Sequence, residues 1–340
     1  MSNGINIEIV NKVHSLRGWD ELVENTNDPF PMMLSGWWNV LNEVFAVHPL
    51  YLRAIRNSQL LGVMALYHSR SLIAGNVLRG MDGTISECEN VSRDLYDFAL
   101  KWAKMNRVSY CQFRCGVKGI DRAREEPRVH TKVALHNGID MLWDKLSSNT
   151  RRKIRKAGKQ DLKIKVTELV PREFYRIYLQ RQRDLGTPAP TYNLFDSMNI
   201  HLNEHLTFLS VIRKGVLVGG AVLLRAGDNW LNLYVAVEPL AQRDYASYCL
   251  YWGMIEHVAQ EGGRILDLGR SRPNSGTHQF KLQFASEDLI QNYTFIPVCG
   301  NVPERSMDHS AGIKHEVWKQ VPLFIASPLG RHLRRTIPFA

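Results

Sequence analysis

A chain of 340 residues with 44% hydrophobic composition is too long for one ordinary domain and carries enough apolar residues to fill two cores. Lys and Arg at 43 against Asp and Glu at 33 give a net charge of +10, which favours a polyanionic partner such as CoA, a nucleotide-linked precursor, tRNA or an anionic membrane surface. Met1 to Ile9 lacks the pattern of a secretory signal, and the longest apolar run, Val216 to Leu224, falls far short of the roughly 20 residues of a spanning helix, so neither export nor membrane insertion is expected.

Ile5 to Ile9 predicts a strand, followed by helical segments at Trp19 to Glu24 and Leu34 to Phe45. Leu52 to Tyr67 reads as strand, tight turn at Asn57-Ser58, and strand. Asn76 to Arg79 is a weak strand, Leu95 to Met105 an amphipathic helix, and Ser109 to Arg114 another strand. After a basic helix near residues 142–159 the order starts again. Leu162 to Glu168 is a strand, Pro171 to Arg183 and Leu194 to Glu204 are helices, and Leu209 to Leu224 is a hairpin turning at Lys214-Gly215. Trp230 to Val237, Tyr245 to Gln260 and Arg264 to Leu268 follow as strand, helix and strand. The two hairpins align without a gap, with identities at Leu52/Leu209, Ile55/Ile212, Arg56/Arg213, Leu60/Leu217, Gly62/Gly219 and Leu66/Leu223. A repeated order of hairpin, crossover helix and strand implies two mixed sheets with helices on their faces.

The five cysteines Cys88, Cys111, Cys115, Cys249 and Cys299 are odd in number and lack paired ligand spacing, so they read as reduced fillers and no metal site is expected. The chain has no Gly-x-Ser-x-Gly elbow, no paired Cys and His signature and no His-Glu-x-x-His helix.

The repeated order is that of the GNAT acyltransferase fold, and a tandem pair resembles the FemAB-like aminoacyltransferases, including the FemAB-related proteins associated with PEP-CTERM export systems. Three stretches carry the likeness: the basic Leu146 to Ala157, the segment Phe174 to Pro188 with Arg181, Arg183 and Gly186-Thr187-Pro188, and Leu268 to Lys281 with its Gly-Arg-Ser and Phe-Lys elements. The resemblance implies an α/β fold of mixed sheets in two tandem GNAT-like acyl-CoA N-acyltransferase domains, 1–145 and 146–303, the second holding the transferase site. It also implies that the basic-apolar tail, 304–340, packs back on the first domain. It further implies a cytoplasmic transferase with no tightly bound cofactor. The donor is acyl-CoA or aminoacyl-tRNA, and the acceptor is an amine on a peptidoglycan or exopolysaccharide precursor. One departure stands out: Ala241 to Ser247 has no glycine where a CoA-dependent GNAT domain has its pyrophosphate turn, leaving Arg243 as a side-chain phosphate ligand.

Lys281, flanked by Phe280 and Leu282, is the first candidate for stabilising negative charge on an acyl oxygen or phosphate; a solvated helix lysine is the plain alternative. Arg270 and Ser271 follow a strand at its carboxyl end, where α/β folds place ligands, or else cap a loop. Asp267 is a general base or one half of a structural ion pair with an arginine. Tyr234 orients the acceptor or packs in the core, and His278 is a general base or an idle loop residue. Arg151, Arg152, Lys153, Arg155, Lys156 and Lys159 crowd one helix beside the apolar Leu142, Leu146, Ile154 and Ala157, with Arg152, Lys156 and Lys159 on one face. Such density favours phosphate binding, by Arg152, Arg155 and Lys156 in particular. The tail from Trp318 to Ala340 mixes Leu323, Phe324, Ile325, Leu329 and Phe339 with Arg331, His332, Arg334 and Arg335, and Pro322, Pro328 and Pro338 argue against one long helix. It packs on the first domain or touches an anionic membrane at its inner face. The rival to an enzyme is a non-catalytic GNAT-fold protein that binds anionic RNA or a membrane surface.

Overall fold

The computed structural model describes residues 4–11, 16–71, 75–115, 117, 123–136, 138–284, 286–303 and 313–338; Met1 of the amino-terminal stretch and Phe339 of the tail lie outside the described residues. In chain order the elements are β1 (Asn6–Ile9), α1 (Trp19–Glu24), α2 (Trp37–Val44), β2 (His48–Arg56), β3 (Gln59–Ser71), β4 (Gly75–Gly80), β5 (Ile85–Ser86), α3 (Glu89–Met105) and β6 (Tyr110–Phe113). Then come β7 (Arg124–Ala134), α4 (Ile139–Lys145), α5 (Ser148–Gly158), β8 (Leu162–Thr167), α6 (Arg172–Asp184), α7 (Asn193–His201), β9 (Leu206–Arg213), β10 (Val216–Ala226) and β11 (Asn229–Val237). The chain continues through α8 (Pro239–Arg243), α9 (Ala246–Gln260), β12 (Ile265–Ser271), α10 (Gly276–Lys281), β13 (Glu287–Pro297), α11 (Ile313–Gln320) and α12 (Leu323–Arg334).

Two compact units result: Met1–Pro127 with Gln291–Gly312 and Arg331–Ala340, and Arg128–Ile290 with Ile313–Gly330. The division thus falls at Pro127/Arg128 rather than at 145/146. The tail, expected as one segment on the first domain, is shared: Ile313–Gly330 joins the second unit, and the part from Arg331 onward joins the first. Pro328 sits inside α12, so the break between tail helices comes at Val321-Pro322 instead.

Each unit repeats the same ladder. In the first, β1, β2, β3 and β4 pair antiparallel in sequence, β4 pairs β6 in parallel, and β6 pairs antiparallel with Thr294–Pro297 of β13. In the second, β8, β9, β10 and β11 pair antiparallel, β11 pairs β12 in parallel, and β12 pairs antiparallel with β7. The sixth strand of each ladder comes from outside its consecutive run of elements, and no sequence pattern had announced β7 or β13.

The aligned hairpins agree in detail. Asn57 and Ser58 have φ of 50° and 66°, Lys214 and Gly215 φ of 50° and 80°, the left-handed pair that a two-residue hairpin turn demands. Leu60 pairs Ile55 and Gly62 pairs Ala54, so Leu61 bulges; Leu217 pairs Ile212 and Gly219 pairs Val211, so Val218 bulges at the aligned position. A Cβ at Gly62 would stand 2.8 Å from Val91 Cγ1, and one at Gly219 would stand 2.9 Å from Val237 Cγ2, so both glycines answer a close approach. A long helix packs on each ladder: Leu95, Ala99 and Ala103 of α3 share a core with Leu52, Met64 and Leu78, and Leu250, Met254 and Val258 of α9 with Leu209, Ala221 and Trp230, joined by Leu142 of α4 and Ala157 of α5. Burial of these faces is the main stabilising term in each unit.

Candidate active site

In the second unit the parallel pair of β11 and β12 is short. Asn229, Trp230 and Leu231 face Ile265, Leu266 and Asp267, and the pairing stops there. Two residues on, Gly269 has φ +83°, and a Cβ on it would stand 3.0 Å from the carbonyl oxygen of Asn232, so the strand bends where only glycine fits.

Asp267 is buried at this point and needs partners. The Gly269 N–H donates to its Oδ1 at 2.7 Å, and His130 Nδ1 lies 2.9 Å from its Oδ2. The partner foreseen for Asp267 was an arginine; the structure supplies a histidine from β7, whose neighbour across the ladder is Arg270. Burial alone would raise the Asp267 pKa, but the hydrogen bond and charge of His130, with the Gly269 N–H, hold it below the usual carboxylate value. An ionised carboxylate only accepts, so His130 Nδ1 is the donor, and His130 Nε2 is buried with no hydrogen-bond partner among the described residues. Two further buried polar atoms lack a partner on the strands flanking the bend: Asn232 Oδ1 on β11 and Ser271 Oγ on β12.

Lys281 closes the bend from the other side. It ends α10, is 4% exposed, and donates from Nζ to the carbonyl oxygens of Gly269 at 2.6 Å and Arg270 at 3.2 Å. It is therefore not a solvated helix lysine. Burial pulls its pKa down to about 8, with Asp267 opposing the shift and Arg270 adding to it. The helix that carries it is set by Ser275, whose Oγ accepts from the His278 N–H at 3.2 Å. His278 spends both ring nitrogens on structure: Nδ1 accepts from the Asn274 N–H at 3.0 Å, and Nε2 donates to Asp288 at 2.8 Å. Phe280 joins Tyr248, Tyr251 and Phe284 in a ring cluster with centroids 5.0 to 5.3 Å away. Tyr251 is pushed up to about 12 by burial, against the charge of Arg181 and a hydrogen bond from Asn232.

The basic segment is two helices, α4 and α5, because Ser147 caps the second through its Oγ, which accepts from the Thr150 N–H at 3.1 Å. Leu142, Leu146 and Ala157 are buried as the apolar stripe requires. Arg152, Lys156 and Lys159 are all exposed. Lys153 donates to the Tyr248 hydroxyl at 2.7 Å and stands 4.7 Å from its ring centroid, while Lys156 stands 5.8 Å from the ring of Tyr245. Arg155 covers Trp143, and Arg152 is tied to Asn149. Tyr245 immediately precedes α9 and has φ 66°, so the left-handed turn ahead of that helix forms without glycine. The Tyr248 hydroxyl in turn donates to Gln283 at 3.0 Å, which links the basic helix, the start of α9 and the Phe280-Lys281 element.

Tyr234 and Arg243 fall elsewhere. Tyr234 is half-buried against Tyr178 and Phe195, both at 5.5 Å, and Arg243 is exposed at the end of α8. His130, Asn232 and Tyr248 were not singled out from sequence; the one signal was Asp267, a mid-strand carboxylate that had to find a partner. No group of three or more His, Cys, Asp or Glu side chains placed to hold a metal occurs among the described residues.

Residues 144–282 match the family model described as an acetyltransferase (GNAT) domain. FemX superposes with a TM-score of 0.68 at 12% identity over 86% of this chain and 98% of its own. A tandem GNAT protein from the clavulanic acid biosynthesis pathway gives 0.55 at 12% identity over 88% and 99%. The fold is a tandem GNAT fold. The C-terminal domain of a putative lysylphosphatidylglycerol synthetase from Agrobacterium fabrum is also similar, with a TM-score of 0.59 at 10% identity over 83% of this chain and 91% of that one. No curated protein sequence matches the chain. These likenesses bear out the tandem GNAT reading and place the bend at Gly269 and the basic helix α5 inside the matched GNAT region. No helix among the described residues is long and apolar enough to cross a membrane.

Proposed function

We propose that the chain is an N-acyl- or aminoacyl-transferase whose second GNAT unit moves an activated acyl group from a phosphate-bearing carrier, acyl-CoA or aminoacyl-tRNA, onto an amine of a cell-envelope or exopolysaccharide precursor. The observation that carries this reading is the buried Lys281 ammonium, held on the carbonyls of the Gly269 bend beside the Asp267–His130 pair. The lysylphosphatidylglycerol synthetase likeness supports the aminoacyl arm and the envelope setting. Lys153 and Lys156, gathered on the tyrosines at the start of α9, supply side-chain charge for the carrier's phosphates where glycine N–H groups are lacking.

In this scheme the neutral amine attacks the acyl carbon, a C–N bond forms, and negative charge gathers on the acyl oxygen. Lys281 has spent two of its three N–H donors, and the third meets that oxygen. His130 Nε2 accepts the proton that the amine releases, and Asp267 keeps the imidazolium in place. Collapse breaks the C–S bond of a thioester or the C–O bond of an aminoacyl ester, and His130 returns its proton to the leaving sulfur or oxygen.

Calorimetric titration with acetyl-CoA, a longer acyl-CoA and a non-hydrolysable aminoacyl-tRNA tests the reading. Micromolar binding of a CoA thioester makes the protein an N-acyltransferase, and binding of the tRNA alone makes it an aminoacyltransferase. Binding of neither, or full turnover by Lys281→Ala, removes the proposal.

A further inference from the structure

The helix α12 has two unlike faces. Ala326, Gly330 and Arg334, each four residues from the next, are buried, and Gly330 is so close to the backbone of Ala189 that a Cβ would stand 3.0 Å from its carbonyl oxygen. The Ala189 contact fixes which side of the helix looks outward. On that outer side Phe324 is 78% exposed, Ile325 43% and Leu329 42%, with Pro328 exposed between them. The last turn replaces these apolar groups with exposed Arg331 and His332, and exposed Arg335 follows just beyond the helix. Helical geometry puts the six that lie on α12 on one stripe about half the circumference wide. The exposed apolar residues are thus contiguous, and their border is cationic.

We infer that the outer face of α12 docks on the surface of an anionic phospholipid bilayer, with Phe324, Ile325 and Leu329 entering the acyl boundary and Arg331 and Arg335 meeting lipid phosphates. Charge complementarity selects this occupant. A stripe that is apolar at one end and positively charged at the other matches an interface whose apolar interior lies beneath anionic headgroups, and the chain's +10 net charge adds a long-range attraction of the same sign. Helices α11 and α12 are too short to span, so the contact is peripheral. It stands independently of the transfer chemistry, since none of its residues touches the Gly269 bend.

The test is sedimentation of the full chain with vesicles of phosphatidylcholine alone and of phosphatidylcholine mixed with phosphatidylglycerol. Binding to the mixed vesicles only, weakened by salt, is expected. Phe324→Ser with Ile325→Ser should lower the partition coefficient about tenfold or more, and Arg331→Glu with Arg335→Glu should abolish the preference for anionic lipid, both with an unchanged melting curve because the side chains are exposed. Absence of binding to the mixed vesicles at low salt overturns the inference. So does binding that neither double variant alters. If instead the wild type self-associates and Phe324→Ser with Ile325→Ser restores a monomer without any vesicle binding, the face joins two copies and the membrane assignment falls.

Discussion

Lys281 places an ammonium in a nearly dry site, and its pKa, lowered to about 8 from 10.5, has a consequence for stability. Below the folded pKa both folded and unfolded lysines are charged, and the fold bears the full burial cost of roughly 3 kcal/mol. Between the two values the unfolded chain binds more protons than the folded one, so stability rises with pH across that window. Urea denaturation of wild type and Lys281→Met should therefore give curves whose difference moves in favour of the wild type by about 3 kcal/mol from pH 8 to 10.5. Parallel curves would show that the ammonium is not buried. If the ammonium is also the working form, turnover falls as pH rises through the same folded value. Asp267 has the opposite sense. Its lowered pKa gives stability that is present above the unfolded carboxylate value and lost as pH falls through the folded one. Asp267→Asn should cost about 1 to 3 kcal/mol because one of the two carboxylate oxygens that accept from the Gly269 N–H and His130 becomes an amide donor. His130→Gln should lower kcat about a hundredfold with little change in KM, whereas a merely structural histidine would leave kcat of the folded variant intact.

At the scale of elements, the proposed donor site rests on α5 and α9. Lys153 is hydrogen-bonded to Tyr248 and exposed Lys156 lies over the ring of Tyr245, which would reduce the entropy lost on binding an anion. Lys153→Gln with Lys156→Gln should weaken binding of the phosphate-bearing donor about tenfold at low salt, with the wild-type and variant affinities converging as salt is raised. Equal affinities at every salt concentration would remove α5 from the donor site. The apolar stripe of this segment was legible in sequence. Which cations would meet an aromatic partner was not, because Tyr248 and Tyr245 come from the start of α9, far along the chain from Lys153 and Lys156.

For the molecule as a whole, the repeated ladder depends on strands supplied out of order. The first unit's sixth strand, Thr294–Pro297, arrives after the second unit's elements, and its Thr294 hydroxyl donates to the Cys115 carbonyl at 2.7 Å while accepting from the Val117 N–H at 3.1 Å. Truncation after residue 290 should therefore destabilise the first unit, 1–127, although it deletes none of its consecutive elements. Limited proteolysis should cut β6 and its flanks in the truncated chain and spare them in the full one. Equal protection in both would show that the sixth strand is dispensable. The first ladder is complete only once β13 has been made, whereas the second, closed by the earlier strand β7, is complete at β12.

The sequence by itself determined the strands and helices that announce themselves through local periodicity and turn chemistry. The hairpins at Asn57-Ser58 and Lys214-Gly215, the aligned Gly62 and Gly219, the helix α9 and the strand order that repeats across the two halves all follow from patterns within a few residues of one another. The boundaries were less secure: α3 begins at Glu89 rather than at Leu95, and buried Val91 is the first member of the stripe that Leu95, Ala99 and Ala103 continue. Only the tertiary structure decided how each ladder is completed and what surrounds Asp267. His130 lies 137 positions away and reaches the carboxylate through the register of β7 against β12. Register between distant strands is set by the packing of whole sheets, and no short-range signal in the chain encodes it.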